Sequence, residues 1–183
     1  MIVGLTGSFG AGKGFVADYL VNQKAFAHFS ARTFITKELE RRGIEVNRDT
    51  MTNVANDLRA THGPTYIFEQ LVQMAKNHGG DAVIESIRAV AEAVYIKEQG
   101  GVVLGIDADP QIRYERIVKR GSETDHVTFG EWRAQELRES NPDDPTKQDI
   151  FGALKLSDVI IMNVSSIPEL KRKIDNFIEK YHD

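Results

Sequence analysis

The chain has 183 residues, 41% hydrophobic and 27% charged, with a net charge of −4 and no cysteine. That size and balance fit a single domain over 1–183 with a complete apolar core, and the missing thiols exclude disulfides and thiolate metal sites. The acidic balance without a long cationic run argues against a nucleic-acid partner, and no apolar run is long enough for a membrane span or signal peptide, so the expectation is a cytoplasmic protein.

Strand and helix patterns alternate along the chain. Ile2–Thr6 is a short apolar run ending at a glycine and reads as a buried strand. Gly12–Val21 has helical spacing, Ala25–Phe29 is a second strand, and Arg32–Gly43 is a helix closed by its glycine. Two more helices are expected over about Thr50–Thr61 and Thr65–Asn77. Ala82–Glu85 follows as a third strand, Val90–Glu98 as a helix, and Val102–Ile106 as a fourth strand. Pro110 opens a helix running to Lys119. The segment 121–147 is rich in charge and turn residues, with one helical piece over Phe129–Glu139; it reads either as a lid or as a solvated excursion. Val159–Met162 is a fifth strand and Pro168–Tyr181 a final helix. Continuous apolar strands separated by helices predict a five-stranded parallel sheet covered on both faces, with ligands at the carboxyl ends of the strands.

Past the first strand stands GSFGAGKG, which is Gly7, Ser8, Phe9, Gly10, Ala11, Gly12, Lys13 and Gly14. It matches the phosphate-binding pattern G-x-x-x-x-G-K-[S/T] except at its last place, where Gly14 replaces the hydroxyl residue and Phe15 follows. Glycines let the backbone approach phosphate oxygens, the helix N-terminus points N–H groups at them, and Lys13 supplies a mobile positive charge. Without the hydroxyl, magnesium would rest on phosphates, waters and a carboxylate from elsewhere, or the protein would bind nucleotide with little turnover.

The other strand ends carry further candidates. Ser30 and Arg32 follow the second strand; Arg32 suits an acceptor phosphate, or is a surface residue at a helix start capped by Ser30. Arg59 lies near a helix end, where it also suits the helix dipole. Glu85 ends the third strand, where a carboxylate can hold a hydrated metal or take a proton, and Arg88 follows; the alternative is a structural Glu85–Arg88 pair. Arg113, Arg116 and Arg120 share one helix face that opens toward 121–147, an arrangement suited to phosphoryl transfer. Asp109 reads as the cap of that helix. Asn163 follows the last strand, where it reads as a purine contact or as a plain turn residue. Trp132 is expected to pack the helical piece of the lid.

These pieces together resemble a family. IVGLTGSFGAGKG, KELERRGIEVN with VANDLRATHGP, IESIRAVAE, DADPQIRYERIVKRG and LSDVIIMN occur in the order found in the adenylate-kinase-related P-loop kinases. The likeness extends to the uncharacterised archaeal and bacterial group labelled dephospho-CoA kinase-like or nucleoside-monophosphate-kinase-like. The resemblance implies an α/β P-loop NTPase three-layer sandwich, with ATP and Mg2+ as cofactors. It implies transfer of the γ-phosphoryl group to a nucleoside or deoxynucleoside monophosphate. From the composition no nucleic-acid or membrane partner is expected, and the working unit is expected to be a monomer or homodimer. Lys13, Glu85, Arg88 and Arg120 are the catalytic candidates. The Gly7–Phe15 loop with Arg116 and Asn163 is assigned to the nucleotide, Ser30, Arg32, Arg59 and Arg88 to the acceptor, and Glu85 to the metal. Relatives often carry Asp-Gly where this chain has Glu85-Ser86, and Ser-x-Gly-Asp where it has Ser30-Ala31-Arg32-Thr33. Two other functions compete: dephospho-CoA kinase, with Glu85 as base, and a nucleotide-binding regulator.

Overall fold

The structure is a computed structural model and describes residues 1–121, 128–138, 140, 144 and 147–182, the side chains of Arg48 and Arg138 excepted. The strands are β1 (Ile2–Gly7), β2 (Ala27–Ser30), β3 (Ala82–Glu85), β4 (Val102–Asp107) and β5 (Val159–Met162). They form one all-parallel sheet in the order β2-β3-β1-β4-β5, as the continuous apolar runs predicted.

The strands are apolar on both sides because both sides are covered. On one side Val3, Leu5, Val83, Leu104 and Ile106 pack with helix α1 (Lys13–Lys24) and with Leu170, Ile174 and Phe177 of the last helix, Ile167–Tyr181. On the other side Ala82, Ile84 and Val103 meet α2 (Ala31–Arg42), α3 (Arg48–His62), α4 (Tyr66–His78) and α5 (Val90–Glu98). Gly4 faces that second side; a Cβ there would lie 2.6 Å from Ile87 Cδ1, so a larger residue would make the Ile87 and Ile96 side chains shift. Helix α6 (Pro110–Arg120) begins at Asp109, whose carboxylate accepts from Gln111 N at 2.8 Å, the capping role its position suggested. Helix α7 (Phe129–Arg138) lies within the expected lid, of which the remainder falls mostly outside the described residues.

Two elements depart from expectation. The first helix runs on to Lys24, where Ala25 turns left-handed at φ 59° and returns its N–H to Leu20 O, so β2 starts two residues late. Helix α8 (Ile150–Lys155) was not foreseen. Its six residues are too few to show a periodicity, and it holds through Asp149, which accepts from Gly152 N at 3.0 Å. The last helix is therefore α9.

The register decides the site. Glu85 pairs with Leu5 on one side and Ser30 on the other, while Gly7 pairs with Ile106. The carboxyl ends of β2, β3, β1 and β4 consequently form one ledge that carries the phosphate-loop sequence.

Candidate functional site

The Gly7–Gly14 loop leaves β1 and enters α1 through left-handed turns at Gly10 and Gly12 that a side chain would strain. Gly12 adopts φ 100°, and a Cβ on it would sit 2.6 Å from Asn163 Nδ2. Gly10 adopts φ 80°, and a Cβ there would sit 2.7 Å from the carbonyl oxygen of Arg113. The loop is thus clasped from outside by the start of α6 and by the segment after β5. Lys13 folds back over it, donating from Nζ to Gly7 O at 2.7 Å and Ser8 O at 2.9 Å. Ser8 is fully buried, and its hydroxyl has no hydrogen-bond partner among the described residues.

The missing hydroxyl is not a steric exclusion. Gly14 is exposed, and nothing lies within 4 Å of where its Cβ would stand. Gly14→Ser is expected to fold with unchanged or slightly higher stability, by up to about 0.5–1 kcal/mol, because serine replaces a helix-weakening glycine. Thermal denaturation of the variant checks this. Phe15 is partly buried against the core cluster that holds Val16, Leu20 and Leu170.

Across the ledge, a cavity of about 20 Å³ is lined by Gly7, Phe9, Lys13, Ser86, Ile87, Arg88 and Ile150. It brings Lys13 and Arg88 to the walls of one space, which the sequence could only suggest. The Arg88 guanidinium lies 3.4 Å from Gln148 Oε1, and its backbone N–H donates to Glu92. Glu85 is not paired with Arg88: its Oε2 lies 2.8 Å from His28 Nε2, a partner that sequence reasoning missed. The β2–β3 register, which no spacing in the chain encodes, puts residues 28 and 85 on one face.

Ser86 stands between Glu85 and Arg88 at φ 78°, a left-handed conformation that side chains with a Cβ resist. Ser86→Gly is expected to raise stability by about 1 kcal/mol, a melting-temperature gain of about 2–4 °C for a chain of this length. A scanning calorimetry comparison with the parent chain reads it, and an unchanged or lowered midpoint would show that the turn is not strained.

Ser30 occupies the N-cap position of α2, yet its side chain makes no capping bond. Arg32 lies exposed on the first turn of the same helix. Ser30 stands next to Glu85 in the strand register, two residues before the exposed Arg32. Beyond them a cleft of about 400 Å³ runs between β2, α2 and α4, lined by His28, Ser30, Phe29, Phe34, Leu71 and Met74 among others.

Arg59 is a correction. Its side chain is 5% exposed, and Nη2 lies 3.0 Å from Glu92 Oε1 in a pair whose carboxylate is 1% exposed. An acceptor phosphate cannot use a guanidinium committed in this way. Arg113 is a second correction: it faces the 121–147 segment, as its helix face predicted, but it is consumed there by Glu136 of α7 and is not open to a phosphoryl group. It is 2% exposed and bonded to Phe9 O, Ala108 O and Glu136. Arg120 is exposed, with its guanidinium carbon 5.5 Å from the centre of the Phe9 ring.

Arg116 and Asn163 meet behind the loop. Arg116 Nη2 donates to Asn163 O at 2.9 Å, and Asn163 Nδ2 donates to Ala11 O at 2.8 Å. The Asn163 side chain therefore braces the phosphate loop in this arrangement. Arg116 Nη1 and the Ser165 hydroxyl nearby in sequence are buried without hydrogen-bond partners among the described residues. Unpaired buried donors of this kind are costly unless something accepts from them.

With this geometry in place, comparison with known proteins gives a consistent result. The profile of a family described as an AAA domain matches residues 3–140. A UPF0200 protein of Pyrococcus abyssi is 31% identical, the alignment covering 98% of this chain and 96% of that one. A UPF0200 protein of Thermococcus sibiricus is 26% identical over 98% of this chain and 95% of its own length. Among solved structures, a Thermus thermophilus protein superposes with a TM-score of 0.65 at 17% identity, covering 100% of this chain and 98% of its own. The shikimate kinase of Bacteroides thetaiotaomicron superposes with a TM-score of 0.57 at 13% identity, covering 98% and 97%. At such identities the structural likeness shows the fold alone, which is that of the P-loop kinases.

Proposed function

The chain belongs to the AAA domain family and to the UPF0200 proteins, and on that footing we propose that it is an ATP-dependent phosphotransferase whose acceptor is a nucleoside or deoxynucleoside monophosphate. One observation carries this reading: Lys13 of the loop and Arg88 beyond β3 line the same small cavity. A transferring phosphoryl group spreads negative charge over its oxygens and needs cations on both sides of the path. Lys13 serves the donor phosphates, Arg88 the group in transit, and Ser30 with Arg32 the acceptor phosphate. Arg116 Nη1 and the Ser165 hydroxyl, buried and unpaired, suit the nucleoside part of the donor. Segment 121–147 acts as the lid of one unit spanning 1–183, with Arg120 at its hinge.

Magnesium fits the donor set. It prefers few carboxylates, several waters and substrate phosphates. Glu85 supplies one carboxylate at the ledge, and no cluster of three or more His, Asp or Glu occurs among the described residues to demand a different metal. The ion would neutralise phosphate charge when bound. Glu85, oriented by His28, can also take a proton, which suits a hydroxyl acceptor and keeps dephospho-CoA kinase as the second reading. Gly14 favours a third, a nucleotide-binding regulator with slow turnover.

A coupled ADP-release assay with ATP and magnesium separates these readings when run over monophosphates, dephospho-CoA and, as a control, shikimate, which appears in the complex of one structural neighbour. Acceptor-stimulated release with one or more monophosphates supports the proposal. Release with dephospho-CoA alone selects the second reading, and tight ATP binding without stimulated release selects the third.

A further inference from the structure

We infer that Arg113 is a positioning residue that couples occupancy of the phosphate loop to the placement of helix α7, with Trp132 as its built-in reporter. The inference rests on the nucleotide reading of the loop and goes beyond it.

The Arg113 side chain touches the loop, the residue after β4 and the lid helix at once. Nη1 donates to Phe9 O at 3.1 Å, Nε donates to Ala108 O at 2.9 Å, and the guanidinium pairs with Glu136 of α7. Asp107 adds a second carboxylate at 3.5 Å from Nε. Glu136 is 4% exposed and is also gripped by Arg133 of its own helix. Trp132, one turn earlier, is 1% exposed and sits 5.1 Å from the Arg113 guanidinium carbon, measured to its ring centre. Tyr114 of α6 and Phe129 complete the aromatic seam.

The transmission is a sequence of bonds. Lys13 now occupies the carbonyls of Gly7 and Ser8. An arriving triphosphate competes for that ammonium and for the loop N–H groups, so the loop carbonyls reorient. Phe9 O is one of them, and the planar fork that holds it has no slack, because its other arms are fixed on Ala108 O and a buried carboxylate. The displacement is therefore passed to Glu136 and α7. A buried pair of this kind has discrete arrangements rather than a continuous give.

The chain contains a single tryptophan, so emission reads Trp132 alone. In the full-length protein, saturating ATP with magnesium is expected to shift or change Trp132 emission with the same midpoint as calorimetric binding. Removing one partner of a buried pair strands the other, so the test variant replaces both: Arg113→Met with Glu136→Leu, an apolar swap that is often neutral for stability. This variant is expected to bind ATP within about tenfold of the parent and to lose nine-tenths or more of the emission change. Should it fail to fold, Glu136→Gln removes the charge at constant shape and is expected to halve the emission change at unchanged affinity. A parent emission that stays constant while calorimetry shows binding overturns the coupling alone, as does a full response in either variant. Absence of ATP binding to the folded parent removes the nucleotide reading, and the coupling with it.

Discussion

Lys13→Ala is expected to cut acceptor-dependent ADP release by about 10²–10³-fold, the loss typical of removing one group that stabilises transition-state charge. The side chain is a flexible ammonium resting on two carbonyls of its own loop, at 2.7 and 2.9 Å. Those contacts are a resting place which phosphate oxygens can take over, since charge-assisted bonds to phosphate are stronger than bonds to neutral carbonyls. Alanine is a good helix former at the start of α1, so the fold should survive with a melting temperature within a few degrees of the parent. Lys13→Arg should not restore activity. The guanidinium is planar and wider than an ammonium, and the loop is closed over by Asn163 and the start of α6. Steady-state turnover alongside thermal melts makes the comparison. An alanine variant that melts normally and turns over normally would remove Lys13 from the chemistry and the loop from the donor site.

Glu92→Ala carries the largest expected effect on stability, a loss of about 3–5 kcal/mol. Both oxygens of this fully buried carboxylate are used. Oε1 takes Arg59 Nε at 3.3 Å and Nη2 at 3.0 Å; Oε2 takes the backbone N–H of Arg88 at 2.8 Å and of Ala89 at 3.1 Å. Alanine strands a guanidinium that is itself 5% exposed and leaves two backbone donors without their acceptor. For a chain of this size the loss corresponds to a fall in melting temperature on the order of 10 °C. Exchanging the whole pair, Arg59→Met with Glu92→Leu, should recover part of it, leaving the two orphaned N–H groups as the residue of the deficit. The same residues place Arg88, because its N–H is one of the two. Glu92→Ala should therefore weaken turnover even at temperatures where the protein stays folded. A drop below 1 kcal/mol would mean that water enters to replace the carboxylate.

What the sequence made legible was local. The loop could be read because its chemistry is contiguous: glycine spacing, a lysine and a strand-to-helix context occur within a dozen residues. The strands could be read because a parallel sheet buried on both faces requires unbroken apolar runs, and β3, α5 and β5 begin and end where those runs do. What escaped were partnerships across space. Arg59 with Glu92, Arg113 with Glu136 and His28 with Glu85 are each joined by the docking of separate elements, and an arginine at a strand or helix end looks the same whether it waits for a phosphate or is already taken. Arg113 was grouped with Arg116 and Arg120 by correct helical spacing, yet the face it shares is partly buried by α7. Asn163 was correctly placed at a strand end. Its task of bracing Ala11 depended on a distance to the loop that no spacing in the chain encodes.

The central place of β1 has a consequence for how the protein is made. Its partners lie far downstream: Ile2 with Ala82 and Val3 with Val102. During translation the first strand leaves the ribosome with no neighbour to zip against, and at ordinary elongation rates it waits roughly 5–20 s for both flanks to be synthesised. The ledge around the Gly7–Gly14 loop cannot exist before then, so a nucleotide held there, on the function proposed above, would secure the chain only once the whole sheet has closed.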